Sequence, residues 1–584
     1  VYVVATAGHV DHGKSTLVRE LTGMEPDRLA EERRRALTVD LGFVWTELDG
    51  RVLAFVDVPG HERFVANMLT GVGPVTAVLF VVSAEEGWQA QSTEHLAALD
   101  AFGVRHGLLV VTKSDRAEAE PVLRDARERI ARTSLGHVPA LAVSAHSGAG
   151  LDRLREELVG MVGRLPPADR EADVRLWVDR SFTVRGAGTV ITGTLGAGTL
   201  RVGDELALTG SEQRAAVRGL QSLGRDRAEV AAVARVAVNL RGVGREHIQR
   251  GHALLTPGAW RHTTEVDARV RDEAAADLHR DLVLHIGAAA VPCRVRALGT
   301  DTVRLALAAE VPLAAGDTGL LRDPGEHRIP AGVEVLDAHP PRLRGRGAAA
   351  ARAAVLDAGE EARAYVRRHG AVPVRELEIL GWQLPGSRVG DWAVDDDLLA
   401  GLPARVSERV TEWASANPLA AGMPIESLRK ALGVPGEVLS AVLPETGLDV
   451  QDGRVRRPGA VGSLPEAVER AVRDLESSLA EQPFRAPEAG DLAALGLGAR
   501  ELAAAERAGR LVRIADGVVL TPDALHRAAR ELTALDPPFT VSEVRRALGT
   551  TRRVAVPLLE RLDGEGVTER LPDNTRRLAG FPRR

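Results

Sequence analysis

Nine residues near the start of the chain, Gly8-His9-Val10-Asp11-His12-Gly13-Lys14-Ser15-Thr16, join a glycine-flanked loop to one lysine and two adjacent hydroxyls. The run lies between a β-like opening, Tyr2-Val3-Val4-Ala5-Thr6, and a helical pattern from Leu17 to Leu21. Backbone N–H groups of such a loop converge on phosphate oxygens, and the helix N-terminus adds partial positive charge. Asp11, His12, Gly13, Lys14, Ser15 and Thr16 are therefore the expected phosphate contacts, with Lys14 on the outer phosphates and the Ser15 hydroxyl on Mg²⁺. The lysines of the whole chain are Lys14, Lys113 and Lys430, within a Lys+Arg total of 75. Arginine replaces lysine almost everywhere except where a compact point charge must fit among phosphates.

Asp57-Val58-Pro59-Gly60-His61 follows the strand-like Val52 to Val56. Asp57 there can bind Mg²⁺ through water, and the Gly60 amide can reach a terminal phosphate, so loss of that phosphate would release the segment. Thr112-Lys113-Ser114-Asp115 follows the apolar run Leu108 to Val111. The Asp115 carboxylate can accept both N–H donors on the edge of guanine, which adenine cannot supply, while the stem of Lys113 lies over the base. Ser144-Ala145 closes a further strand and completes the base pocket. Each motif ends a predicted strand, and ligands of a parallel sheet bind at that edge. The pattern predicts a guanine-nucleotide site.

The elements that must position these residues alternate between strand and helix through about Val162, up to Arg164-Leu165-Pro166-Pro167-Ala168, a boundary by composition. Beyond it strands are short, glycine is frequent and helical stretches vanish until about residue 345, which reads as two small β-barrels. His339-Pro340-Pro341 to Gly347 is a linker by composition. The remainder is helical and repetitive. Leu-Gly closes an amphipathic helix at Leu380-Gly381, Leu432-Gly433, Leu495-Gly496 and Leu548-Gly549, and hairpin-like pieces follow at Val450–Val455 and Leu511–Val519. Glycine suits the left-handed residue that ends a helix, and helix, turn, helix and hairpin is the winged-helix recipe. The fold class expected is therefore multidomain: an α/β P-loop domain (1–168), two small β-barrels (169–258 and 259–341), and a C-terminal array of winged-helix modules (342–402, 403–460, 461–522 and 523–584). The first of the four modules fits the recipe least well.

A chain of 584 residues exceeds a single core, and its 45% hydrophobic content describes a globular protein. No apolar run approaches the length of a membrane span and no secretory signal opens the chain, so a cytoplasmic protein without membrane contact is expected. Cys293, the single cysteine, reads as a small buried hydrophobe. Net charge is −6, so nucleic-acid binding must come from local patches. One such patch is Thr550-Thr551-Arg552-Arg553, at the start of the last recognition-type helix. Arg570, Arg576 and Arg577 flank a second, around the turn Leu571 to Thr575. Arg552, Arg553, Arg576 and Arg577 are the candidate RNA contacts, since hairpin loops offer splayed bases and a backbone to clamp.

The strings GHVDHGKST and DVPGH, with Thr38 in Ala36-Leu37-Thr38-Val39-Asp40, resemble the translational GTPases of the elongation factor Tu group. By that resemblance the cofactors are GTP/GDP and Mg²⁺, Thr38 is a Mg²⁺ ligand in the GTP state, and His61 is the catalytic residue, positioning the attacking water on the ribosome. Two departures stand out: Ala36 replaces the usual glycine, and Thr112 replaces the asparagine that braces the base pocket against the phosphate loop. Arg185-Gly186-Ala187-Gly188 to Leu195 resembles the second-domain signature of the same group.

Along nearly its whole length the chain resembles the bacterial selenocysteine-specific elongation factors, through Asp179-Arg180-Ser181-Phe182-Thr183-Val184, Leu284-His285-Ile286-Gly287 and Leu558 to Asp563. That resemblance implies a monomer that delivers selenocysteinyl-tRNA to the ribosome at UGA codons, tethered to an mRNA hairpin by its last winged helices. It assigns Asp179, Arg180 and Arg235 to an aminoacyl pocket in which guanidinium groups favour a selenolate over a neutral serine hydroxyl. Two other readings remain at this stage: a GTPase of the same superfamily carrying ordinary or initiator tRNA, and a GTP-gated nucleic-acid-binding regulator.

Overall fold

The computed structural model describes residues 1–26, 40–61, 65–72, 75–186, 188–211, 213–459 and 464–579. They form two units: Val1–Arg368 with Pro373–Pro385, and His369–Val372 with Gly386–Arg584.

The first unit begins with β1 (Tyr2–Ala7), α1 (Lys14–Thr22), β2 (Gly42–Leu48), β3 (Arg51–Asp57), α2 (Val65–Val72), β4 (Ala77–Ser83), α3 (Ala90–Ala101), β5 (His106–Thr112), α4 (Glu120–Ile130), β6 (Ala140–Ala142) and α5 (Leu151–Gly163). The strands make one sheet in the order β2-β3-β1-β4-β5-β6. Its centre is parallel, with only β2 antiparallel at the edge. Every residue of β4 is buried, as expected of a strand covered by helices on both faces. Two separate apolar clusters fill those faces, one around Phe80, Leu99 and Ile130, the other around Leu17, Phe55 and Leu158. The phosphate loop, the Asp57 turn and the Thr112 turn all leave C-terminal strand ends, so the sheet itself brings them together.

Next come β7 (Arg175–Trp177), β8 (Arg180–Val184), β9 (Gly188–Leu195), β10 (Thr199–Arg201), β11 (Glu205–Leu208), β12 (Arg214–Ser222), β13 (Arg225–Arg227), β14 (Glu229–Ala231), β15 (Ala234–Arg241) and β16 (Ala253–Leu255). Eight of them follow the order β7-β16-β11-β12-β15-β9-β8, with β13 on β12, while β10 and β14 pair separately. Beyond β7 the chain bonds to both sides, Val178 N–H to the His252 carbonyl at 2.8 Å and Asp179 N–H to the Thr192 carbonyl at 3.0 Å, so the sheet curls back on itself. Gly193 permits this closure: a Cβ there would lie 2.3 Å from the Trp177 carbonyl oxygen.

The strands β17 (His262–Asp272), β18 (Asp281–Ile286), β19 (Ala289–Ala297), β20 (Thr302–Pro312), β21 (Thr318–Asp323) and β22 (Arg328–Asp337) form a closed barrel. Cys293 packs inside it, and burial pushes its thiol up to about 12, which keeps it an inert hydrophobe. The barrel rests on the end of α3, where a Cβ on Gly332 would lie 2.8 Å from the Ala101 Cα and Arg271 donates to the Ala101 carbonyl at 3.2 Å. Then α6 (Ala348–Asp357), α7 (Glu361–His369) and α8 (Val374–Ile379) follow. A buried ion network fastens α6 to the barrel. Arg304 grips Asp267 at 2.7 and 3.0 Å, and Arg352 reaches from α6 to Asp267 at 2.6 Å and to Asp337 at 2.5 Å.

The second unit repeats three helices and a hairpin. Its helices are α9 (Asp396–Ala416), α10 (Ile425–Leu432) and α11 (Gly436–Val442), then α12 (Glu466–Glu481), α13 (Ala489–Ala494) and α14 (Ala499–Arg507), then α15 (Ala524–Leu532), α16 (Val541–Ala547) and α17 (Arg552–Gly564). Strand pairs 449–451/454–456, 512–515/518–520 and 568–570/576–578 close the three repeats. Gly433, Gly496 and Gly549 have φ of 69°, 69° and 59°, the left-handed stops that Leu-Gly predicts. After Gly381 a hairpin (387–389/392–394) comes before any further helix. The last two repeats share one apolar core, from Val472 through Phe539 to Leu562, whereas α9–α11 enclose their own. Among the described residues no helix is long and apolar enough to cross a membrane.

Candidate functional site

The loop between β1 and α1 is built as an anion cradle. Asp11 (φ 62°) and Gly13 (φ 82°) are left-handed, turning successive N–H groups inward. Gly8 must be glycine, because a Cβ would lie 2.1 Å from the Val81 carbonyl oxygen. Lys14 is 6% exposed. Its ammonium donates to the Gly8 carbonyl at 3.0 Å and the His9 carbonyl at 2.7 Å. Burial lowers its pKa to about 8, against the opposing pull of Asp57 and Asp11. Gly60 comes so near that a Cβ would meet Lys14 Nζ at 2.5 Å and the Val10 nitrogen at 2.6 Å. A phosphate bound here would therefore be sensed by the Asp57–His61 turn directly.

Ser15 donates to Asp57 Oδ2 at 2.6 Å and Thr6 to Asp57 Oδ1 at 2.8 Å. A hydroxyl and a buried carboxylate at this separation form the oxygen donor set that suits Mg²⁺ beside phosphates. Thr38 and Ala36 lie outside the described residues. His61 stands at the end of the turn, half-buried; Thr16 is exposed on the first turn of α1.

The base side is equally definite. Thr112 Oγ1 donates to the His12 carbonyl at 2.7 Å, so the shorter side chain still braces the phosphate loop. Ser144 donates to Asp115 Oδ1 at 2.6 Å, holding the carboxylate pKa below its usual value and fixing its direction. Ala145 follows in the same turn. Lys113 is left-handed (φ 56°) and pairs with Glu86 at 2.9 Å and Glu85 at 3.3 Å. Burial alone would lower its pKa, but these two carboxylates outweigh it and raise the value.

Two contacts have no counterpart in the motif reading. From α3, His95 Nδ1 accepts the Gly8 amide at 3.0 Å and Gln91 Oε1 accepts the Val10 amide at 3.1 Å. Their only sequence signal is a Gln and a His four apart, in a helix that also carries Ser92, Thr93 and Glu94.

The arginine pocket lies on the first barrel, against β2 and β3. Arg235 makes a bidentate pair with Asp179, one arm at 2.7 Å. Asp179 also accepts from Thr192 at 2.7 Å. The Arg235 guanidinium sits 3.8 Å from the Phe43 ring centroid. Arg180 lies 5.6 Å from the same ring, pairs with Asp40 at 2.9 Å and donates to the Leu41 carbonyl at 2.6 Å. A cavity of about 160 Å³ opens beside them. Arg250, donating to Asn67 at 2.5 Å, is within electrostatic reach of Asp40, Asp179 and Arg180. Among the described residues, two guanidinium groups thus pair with two carboxylates while a third lies within electrostatic reach. Sequence reasoning missed Phe43, Asp40 and Arg250, because each comes from a segment remote in the chain.

At the end of the chain the four arginines part company. Arg552 and Arg577 are exposed, the latter paired with Glu569 at 2.7 Å. Arg553 spends its guanidinium on the Ala486 and Pro487 carbonyls at 3.1 and 2.7 Å. Arg576 is 4% exposed and paired with Asp563 at 3.0 Å. The expectation that Arg576 contacts RNA is therefore corrected: strand alternation turns it inward while Arg577 faces solvent.

Comparison with known proteins agrees with this layout. The profile of the elongation factor Tu GTP binding domain matches residues 1–164, that of elongation factor Tu domain 2 matches 188–255, and that of the elongation factor SelB winged helix matches 530–578. The selenocysteine-specific elongation factor of Escherichia coli (strain K12) is 38% identical over 58% of this chain and 56% of its own length, so this chain spans little more than half of that relative. Elongation factor Tu 2 of Streptomyces avermitilis is 33% identical over 46% of this chain and 75% of its own length. A crystal structure of a bacterial selenocysteine-specific elongation factor, EF-Sec, shares the fold over 99% of both chains, with a TM-score of 0.76 at 24% identity.

Proposed function

Since this chain belongs to the translational GTPases of the elongation factor Tu family and is similar to their selenocysteine-specific members, we propose that it carries selenocysteinyl-tRNA to the ribosome in the cytoplasm, at codons marked by an mRNA hairpin. One observation carries the choice of cargo: Arg180 and Arg235 stand at the Phe43 ring, paired with Asp40 and Asp179, with Arg250 within electrostatic reach. Among the described residues the guanidinium groups outnumber the carboxylates there by one, which suits a monoanionic selenolate. A serine hydroxyl brings no charge and would leave that excess unmatched.

In this reading the loop amides and Lys14 hold the phosphates of GTP, Asp115 reads guanine, and Ser15, Asp57 and Thr38 hold Mg²⁺. The ion would offset the negative charge that builds on the phosphates. His61 positions the attacking water once the ribosome orders it. Gly60, packed on Lys14, transmits the presence of the last phosphate to the Asp57–His61 turn, and Arg180 ties the first barrel to Asp40 at the edge of the neighbouring segment. The arm, with Arg552 and Arg577 outward, holds the hairpin, and tethering raises the local concentration of cargo.

The test is GTP-dependent protection of the aminoacyl ester on selenocysteinyl-tRNA, with seryl-tRNA on the same tRNA body as control. Strong protection of the first and little of the second is expected. Equal protection of both would leave a general tRNA carrier and remove the selenolate pocket.

A further inference from the structure

A cavity of about 380 Å³ opens where α9 and the 454–456 strand meet the end of α14. Its size falls within the roughly 300–1,000 Å³ of small-ligand clefts. The lining holds three arginines, Arg456, Arg457 and Arg507, together with Trp413 and Asn417, and among the described residues it includes no Asp or Glu. That composition is unusual in a chain with more acidic than basic residues.

The state of the arginines is more telling than their number. Several other arginines of this unit are neutralised locally, as Arg429 is by Glu426, Arg470 by Glu466 and Arg473 by Glu469. Around the cavity each guanidinium bonds only to neutral oxygens among the described residues: Arg457 to Thr411 at 2.7 Å, Arg507 to the Leu419 carbonyl at 2.6 Å, and Arg456 to Gln451. Arg456 Nε is buried and meets no acceptor among the described residues. A buried unsatisfied donor beside uncompensated charges costs stability unless an anionic acceptor arrives. The half-buried indole of Trp413 supplies a flat apolar face in the same cleft.

We propose that this cleft binds single-stranded RNA, one base stacking on Trp413 while its flanking phosphates lie on Arg456, Arg457 and Arg507. Stacking on an aromatic ring combined with guanidinium contacts to the backbone is how single strands are held without sequence preference. An acidic peptide would use the charges but has no flat ring system to match the indole. The cleft stands apart in sequence from Arg552 and Arg577, so it gives the arm a second hold on RNA, on an unpaired strand rather than a folded hairpin. The inference rests on the reading of the arm as an RNA-binding element.

The test uses the full chain with GTP and a 4-thiouridine-containing oligo(U) probe of about twelve nucleotides, within the size range of single-strand sites. Photocrosslinking should mark the peptides that carry Trp413 and Arg456-Arg457. Trp413→Ala should weaken binding roughly ten-fold, with Trp413→Phe restoring most of it. Replacing Arg456, Arg457 and Arg507 together by Met should reduce the slope of log affinity against log salt by about 2. Nucleotide binding serves as the folding control. Crosslinks confined to other segments, or variants that bind like the parent, would overturn the proposal. Oligo(U) binding that needs Arg552 and Arg577 but ignores Trp413 would overturn it while sparing the arm's general reading. Failure to bind any RNA would overturn both.

Discussion

His95 Nδ1 accepts the Gly8 amide proton at 3.0 Å, so a helix side chain caps the first residue of the phosphate loop. The same helix, α3, receives Arg271 of the closed barrel on its last carbonyl, at Ala101. One rigid element thus touches the nucleotide loop at one end and the barrel at the other. Burial, with lesser contributions from Lys14 and His9, lowers the His95 pKa to about 3, so the ring is neutral and its Nδ1 is free to accept.

That burial has a pH signature. In the unfolded chain the imidazole protonates near its ordinary value of about 6.5. Below that pH the unfolded state binds a proton that the folded state refuses. The contribution of His95 is complete above about pH 6.5 and declines toward pH 3, at about 1.4 kcal/mol per pH unit. Urea unfolding at pH 7 and pH 5 should show His95→Gln, which keeps an acceptor but cannot titrate, less acid-sensitive by about 2 kcal/mol. An unchanged pH dependence would mean that the ring is hydrated.

Thr112 offers a second measurement. Its hydroxyl is the donor that ties the base side to the His12 carbonyl. Thr112→Val leaves that carbonyl unbonded and should weaken GDP binding by about ten-fold, while Thr112→Ser should stay within a few-fold of the parent. Titration with a fluorescent GDP analogue reads both. If Val binds as tightly as Thr, the brace has no role in affinity.

The Arg235–Asp179 pair is a scaffold as well as part of the pocket. Asp179 is 6% exposed, so Arg235→Met strands a buried carboxylate and should destabilise the unit by about 3 kcal/mol. Adding Asp179→Asn should recover part of that loss without restoring any preference for selenocysteinyl-tRNA. Thermal unfolding and ester protection, measured on the same preparations, separate the two effects.

Arg576 and Arg577 should behave oppositely. Arg576→Ala removes the partner of Asp563 and should lower stability by about 2 kcal/mol or more. Arg577→Ala should leave the unfolding midpoint within about 0.5 kcal/mol of the parent, yet weaken hairpin binding and reduce its salt dependence by close to one unit. Equal destabilisation by both would contradict the inward and outward assignment.

These contrasts mark what could be read from the sequence. The phosphate loop was legible because its nine residues are contiguous and their chemistry is local. The Leu-Gly helix ends were legible because a left-handed stop depends on one residue. Arg576 could have been separated from Arg577 by strand alternation, had the strand's parity been weighed against the charge of the patch. His95 and Gln91 were not legible, since only the sheet order brings α3 beside β1. Phe43 and Asp40 reach the Arg180–Arg235 pocket from one distant segment, and Arg250 acts on it from another. The core shared by the last two winged-helix repeats was hidden for the same reason: its contacts join residues as far apart as Val472 and Leu562.

The scarcity of lysine gives this protein a built-in chemical reporter. Lys430 is exposed, Lys113 is held charged by Glu85 and Glu86, and Lys14 lies buried with its pKa near 8. At mildly alkaline pH a large share of Lys14 is therefore an uncharged, nucleophilic amine, placed where phosphate oxygens are drawn. An acylating reagent or aldehyde that carries a phosphate would be steered to it. Bound nucleotide would shield it, and the background from other side-chain amines would come from two known positions. Occupancy of the nucleotide site could then be followed by peptide mass on the unmodified protein, without a fluorophore or an engineered cysteine.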